Sequence, residues 1–113
     1  MRRLLREILE GSGYRICAEA VDGRAGVLSY LSERPDVVLL DIAMPVMDGI
    51  TSLERIRALD EHANIIMCSA LGEDEMILRA IQLGAGDFVV KPFRPERVLS
   101  AVEKSLIRHG RVE

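Results

Sequence analysis

Nowhere does the 113-residue chain hold the run of about 20 apolar residues that a membrane helix needs. Residues 1–10 also lack the uninterrupted apolar core of a secretory signal, so a cytoplasmic protein outside the membrane is expected. Neither G-x-x-x-x-G-K-[ST] nor G-x-G-x-x-G occurs, which disfavours nucleotide binding, and flavin binding has only the weak support of fold analogy. Positive charge is not in excess: a net charge of −3 and a pI near 5.4 give no electrostatic basis for binding nucleic acid regardless of sequence. Arg2, Arg3 and Arg6 do cluster, but Glu7 and Glu10 interrupt them, as on a solvated helix face. Cys17 and Cys68 each lie in an apolar run with no Cys or His at ligand spacing, so buried free thiols are expected. With no repeat, linker or low-complexity segment, residues 1–113 read as one domain.

What is present is organised around Val37-Val38-Leu39-Leu40-Asp41. Four consecutive apolar residues, two of them β-branched, predict a short strand buried on both faces in the middle of a parallel sheet. It ends in an acid, at the sheet edge where open α/β folds bind ligands. The turn Met44-Pro45-Val46-Met47-Asp48-Gly49 then opens a helix.

Around this unit, strands and helices alternate. Leu4, Leu5, Ile8 and Leu9 fall at helical spacing over residues 2–10, and Gly11 and Gly13 stop that helix. Residues 14–20 show partial alternation and predict a strand, ended by the turn Asp22-Gly23. A second helix carries Val27, Leu28, Tyr30 and Leu31, and Pro35 separates it from the central strand. A third runs over about 49–59 with Ile50, Leu53 and Ile56 inward, followed by the strand Ile65-Ile66-Met67-Cys68. The fourth, over about 73–83, is expected to bury Met76, Ile77, Ala80 and Ile81 and to stop at Gly84. Asp87-Phe88-Val89-Val90 is the last strand, and Pro95 begins a helix with Val98, Leu99, Val102 and Leu106. Residues 109–113 read as a frayed tail. Right-handed βαβ crossovers and a parallel sheet with helices on both faces follow from this order.

Three successive strands end in Asp41, Ser69 and Lys91. In a parallel sheet these ends share one edge, so a carboxylate, a hydroxyl and an ammonium converge. Each alone is an ordinary solvated loop residue; together they suit phosphoryl transfer, with a carboxylate attacking phosphorus and the other two stabilising oxygens. The motifs Leu39-Leu40-Asp41-Ile42-Ala43-Met44-Pro45-Val46-Met47-Asp48-Gly49, Cys68-Ser69-Ala70 and Gly84-Ala85-Gly86-Asp87-Phe88-Val89-Val90-Lys91-Pro92-Phe93 resemble receiver domains of two-component response regulators, over nearly the whole chain. The likeness is strongest to single-domain chemotaxis-type (CheY-like) regulators. It implies an α/β, flavodoxin-like, doubly wound parallel sheet with strand order 2-1-3-4-5, here with four recognisable strands and five helices. It also implies Asp41 as phosphoacceptor, Ser69 as the hydroxyl that follows the phosphoryl group, Lys91 as ion-pair partner and Phe88 as the aromatic switch. A cis Lys91–Pro92 peptide and an output surface of the fourth helix, last strand and last helix are implied likewise. The implied partners are a histidine kinase and a downstream target, with no nucleic acid and no membrane.

The pattern breaks at the start. The family opens with a strand ending in an acid pair that, with the phosphoacceptor, holds Mg²⁺, whereas this chain opens as Met1-Arg2-Arg3-Leu4-Leu5 in what resembles the first helix. The sequence therefore reads as N-terminally truncated, with Met1 an internal methionine or a natural start. Asp41 and the Ala43 carbonyl remain as metal ligands, so Mg²⁺ binding is expected to be weak. Glu7, Glu10 and Asp48 are poorly placed as replacements. The missing strand would leave apolar edges inside the sheet, which predicts self-association, strand exchange or direct pairing of the flanking strands. Two readings compete: a phosphorylatable receiver without enzymatic turnover, and a phosphorylation-impaired interaction or dimerisation module. A haloacid-dehalogenase-like phosphatase is disfavoured, because its second Asp would stand where this chain has Ala43.

Overall fold

The computed structural model describes residues 2–16, 19, 22–42, 49–70 and 73–108, the side chains of Arg2, Arg3 and Arg108 excepted. Three strands, β1 (Val38–Asp41), β2 (Ile65–Ser69) and β3 (Asp87–Val90), pair in parallel in the order β1-β2-β3. Asp41 lies opposite Cys68, and Ser69 opposite Val90, so the three C-terminal strand ends lie along one edge. Five helices surround the sheet: α1 (Arg2–Gly11), α2 (Gly23–Glu33), α3 (Gly49–Leu59), α4 (Asp74–Gln82) and α5 (Pro95–Arg108).

Alternation along the strands sends side chains to two separate cores. On one face Leu40, Ile42, Ile65 and Met67 pack with Tyr30 of α2, Ile50, Leu53 and Ile56 of α3, and Ile77 and Ala80 of α4. On the other, Ile66, Cys68 and Val89 pack with Ile8 and Leu9 of α1 and with Val98, Ala101, Val102 and Leu106 of α5. Each fully buried aliphatic side chain contributes about 1.5–3 kcal/mol. β2 carries the most of this, since all five of its residues are buried. Buried Asn64 and Ser105 hydrogen-bond each other through their side chains, and Asn64 Nδ2 reaches the Asp36 carbonyl at 3.3 Å, which ties α5 to the chain entering β1.

Helix ends follow the sequence signals. Asp22 caps α2 by accepting the Ala25 N–H at 2.8 Å, so the Asp22-Gly23 pair is a helix start as well as a turn. Gly84, at φ +105°, follows α4, and Pro95 is the first residue of α5. α2 ends instead on Arg34 in the left-handed region (φ 46°), with its guanidinium over the Tyr30 ring at 5.8 Å.

Four expectations need correction. The apolar run at residues 37–40 was expected to be buried on both faces, but only Leu40 of the four residues of β1 is buried; β1 is an edge of the described sheet, as the missing strand implied, and β2 holds the centre. Tyr14, Arg15, Ile16 and Glu19, from the strand expected over 14–20, are in no ladder, and the rest of that stretch, Cys17 included, lies outside the described residues. The alternation there is real, since Tyr14 and Ile16 pack against the α1/α5 core while Arg15 is exposed. The described sheet therefore has three of the four expected strands, and no direct pairing of the flanking segments occurs among the described residues. Finally, the α2 and α4 stripes are only half used: Leu28 and Leu31, and Met76 and Ile81, are exposed while Tyr30, Ile77 and Ala80 are buried. Residues 44–48 of the turn and the tail 109–113 lie outside the described residues. No helix among the described residues is long and apolar enough to cross a membrane.

Candidate functional site

The parallel register carries Asp41, Ser69 and Lys91 to one edge, and their side chains differ in what they meet there. Lys91 Nζ donates to Asp41 Oδ2 at 2.8 Å, with the carboxylate largely and the ammonium mostly shielded from solvent. A charge-assisted bond in this setting is stronger than a surface ion pair. Ser69 is fully buried, and its Oγ has no hydrogen-bond partner among the described residues. An unsatisfied buried hydroxyl costs about 1–3 kcal/mol.

The backbone around the trio is fixed. The Lys91 N–H donates to the Ser69 carbonyl at 2.8 Å, the Lys91–Pro92 peptide is cis, and Phe93 is buried beyond it. On the β1 side the Gly49 N–H donates to the Ile42 carbonyl at 2.8 Å, closing the segment that follows Asp41. A Cβ on Gly49 would stand 2.0 Å from the Asp41 carbonyl oxygen and 2.7 Å from the Ile42 Cα, so the start of α3 approaches the acid as only glycine can. Phe88 is half-buried against the α3/α4 core, and Arg97 of α5 grips it from behind, donating to its carbonyl at 2.7 Å and to Asp87 Oδ1 at 2.9 Å. Cys68 lies opposite Asp41; burial first, and then the Asp41 charge, push its thiol up to about 12, so it stays protonated and inert.

The described donors do not assemble a Mg²⁺ site. No group of three His, Cys, Asp or Glu side chains converges among the described residues, Asp41 is the one carboxylate of the trio, and Ala43, the expected carbonyl ligand, lies outside the described residues. Mg²⁺ wants near-octahedral oxygens, and a single acid already paired with an ammonium falls short of that.

Two features escaped the sequence reading. The Ala70 N–H donates to Glu73 Oε1 at 2.5 Å, one residue beyond Ser69; a Glu three residues on from an Ala has no signature of its own. The Arg97 grip joins elements ten residues apart, and only the acid before Phe88 could have suggested it.

Comparison with known proteins agrees with this geometry. The response regulator receiver domain family matches residues 1–103. The chemotaxis protein CheY of Bacillus subtilis is 49% identical over 94% of this chain and 88% of its own length, and that of Thermotoga maritima is 45% identical over 92% and 87%. Among solved structures, the receiver domain of NtrX from Brucella abortus superposes with a TM-score of 0.89 at 30% identity, covering 94% of this chain and 89% of that one. The CheX–CheY–BeF3–Mg²⁺ complex of Borrelia burgdorferi superposes at 0.86 with 39% identity, over 91% and 78%. The doubly wound sheet, the trio at its C-terminal edge and these matches have one common reading: the chain belongs to the response regulator receiver domain family and is CheY-like in type.

Proposed function

We propose that this receiver is the phosphoacceptor of a His-Asp phosphorelay and is modified on Asp41 by a histidine kinase. The observation that carries the reading is the 2.8 Å Lys91–Asp41 pair beside a buried Ser69 hydroxyl with no partner among the described residues. In the transfer, an Asp41 carboxylate oxygen forms the new O–P bond and the P–N bond of the kinase phosphohistidine breaks, with the imidazole, already protonated on its other ring nitrogen, leaving as the neutral base. Lys91 turns from the carboxylate to the phosphoryl oxygens, and Ser69 donates its hydroxyl hydrogen to one of them. The added charge of about −1.5 to −2 draws Ser69 towards Asp41, and Phe88 moves inward into the space vacated. α4, β3 and α5 then present a changed surface to a downstream target. The protein turns over no substrate of its own, acts in the cytoplasm, and holds Mg²⁺ only weakly.

One observation favours the alternative, a phosphorylation-impaired interaction or dimerisation module. In the β1–β2 ladder, Val38 and Ile42 donate to Asn64 and Cys68, so by alternation the backbone groups of Leu39 point away from β2. That outward edge is a template for strand exchange or homodimer formation. Incubation with a radiolabelled chemotaxis-type histidine kinase separates the two readings. Label should move to the wild-type chain and not to Asp41→Ala; a folded wild type that takes no label, and elutes as a dimer, would leave the alternative standing.

A further inference from the structure

The N–H of Ala70 is out of place for a parallel ladder. Because Ile42 donates to the Cys68 carbonyl at 3.0 Å, the next rung would run from Ala70 N–H to the Ile42 carbonyl. That carbonyl instead accepts from Gly49, and the Ala70 N–H donates to the Glu73 carboxylate at 2.5 Å. The released amide therefore lies on the β1 side of the β2 terminus, two residues past Cys68, the register partner of Asp41, and directly after the unpartnered Ser69 hydroxyl. It is a backbone donor on the same edge as the acid, the hydroxyl and the ammonium, and a carboxylate already fills it.

Glu73 is also the residue before α4. Its carbonyl accepts the Ile77 N–H at 3.0 Å, which commits its backbone to the helix, yet its side chain makes no capping bond to α4 and turns back to Ala70. Two positions are thus within reach of one side chain: the Ala70 amide, and the first turn of α4, where the helix dipole favours a negative charge.

We propose that Glu73 gates the site: its carboxylate occupies the Ala70 amide in the unmodified protein, excludes phosphoryl oxygens from it, and moves to the α4 N-terminus when a phosphoryl group takes that amide. This deepens the phosphoacceptor reading and rests on it. Glu73 does not touch the reacting atoms; it is a positioning residue that sets how readily an anion enters and that links entry to the first turn of α4.

The test follows the Ala70 amide by NMR during titration with inorganic phosphate, in wild type, Glu73→Ala, Glu73→Gln and Asp74→Asn, with phosphoryl uptake from acetyl phosphate measured by intact mass on the same samples. Removing the like charge and freeing the amide should tighten phosphate binding about tenfold in Glu73→Ala. Glu73→Gln, which keeps an acceptor but no charge, should bind more tightly than wild type by a smaller factor and carries the test if the alanine variant does not fold. Asp74→Asn, in the same first turn but exposed, should stay within about twofold of wild type, since screened surface charges act weakly. Tighter phosphate binding without mass gain in any sample would sink the phosphoacceptor reading and keep the gate. Affinities unchanged in both Glu73 variants, or an equal rise in Asp74→Asn, would overturn the gate whatever the mass shows.

Discussion

Gly49→Ala places a methyl group where the structure has backbone. The new Cβ would stand 2.0 Å from the Asp41 carbonyl oxygen and 2.7 Å from both the Asp41 carbonyl carbon and the Ile42 Cα, and none of these atoms can rotate away. α3 must move off β1 by more than an ångström, which breaks the 2.8 Å bond from Gly49 to the Ile42 carbonyl and loosens Ile50 and Leu53 in the core. Overpacking costs about 1–3 kcal/mol and a lost buried hydrogen bond about 0.5–1.5 kcal/mol. A loss of about 2–4 kcal/mol follows, equivalent to a fall in Tm of about 10–20 °C for a domain of this size. Urea denaturation followed by far-ultraviolet circular dichroism measures it. Gly11→Ala is the matched control: a Cβ there meets nothing within 4 Å, so that variant should be neutral or up to about 1 kcal/mol more stable. If Gly49→Ala unfolds within about 0.5 kcal/mol of wild type, the close approach of α3 to Asp41 is wrong.

Tyr30 Oη donates to Asp60 Oδ2 at 2.6 Å, and this bond, with the His62 N–H, holds the Asp60 carboxyl below its ordinary value. Because the folded value is depressed, the stabilisation is present above the unfolded value and is lost as pH falls through the folded one. Tyr30→Phe should raise the Asp60 titration midpoint seen by NMR and weaken the fall in stability below about pH 4; an unchanged midpoint would remove the bond from the account. Cys68 has the opposite sign: its thiol, pushed up to about 12, keeps its proton in the folded state while the unfolded thiol ionises, so stability should fall as pH rises from 9.0 towards 12. At pH 8 iodoacetamide should label Cys68 only after denaturant is added, read by peptide mass; rapid native labelling would contradict its burial.

How much of this was legible in the sequence depends on which interaction decides each feature. Helix boundaries were local matters: Gly84 and Pro95 act within a turn of themselves and mark helix ends where expected, while Asp22, expected only as part of a turn, caps α2. The convergence of Asp41 and Lys91 was legible because strand parity and parallel order place strand ends without any detail of packing. Edge and centre were legible only through the missing strand, since an apolar run such as residues 37–40 looks the same in either place and pairing with distant strands decides it. The exposed halves of the α2 and α4 stripes fail for a related reason, because the width of a helix stripe in contact is set by its neighbours. Glu73 and Arg97 reach backbone groups, which no residue pattern encodes.

The most direct test of the central claim is intact-mass measurement after incubation with acetyl phosphate, which demands that the receiver itself bring the phosphoryl group to its acid. Wild type should gain one phosphate, the gain should vanish with hydroxylamine as an acyl phosphate does, and Asp41→Ala should gain none. A folded wild type that gains nothing, or an equal gain in Asp41→Ala, would contradict the assignment of Asp41 as phosphoacceptor.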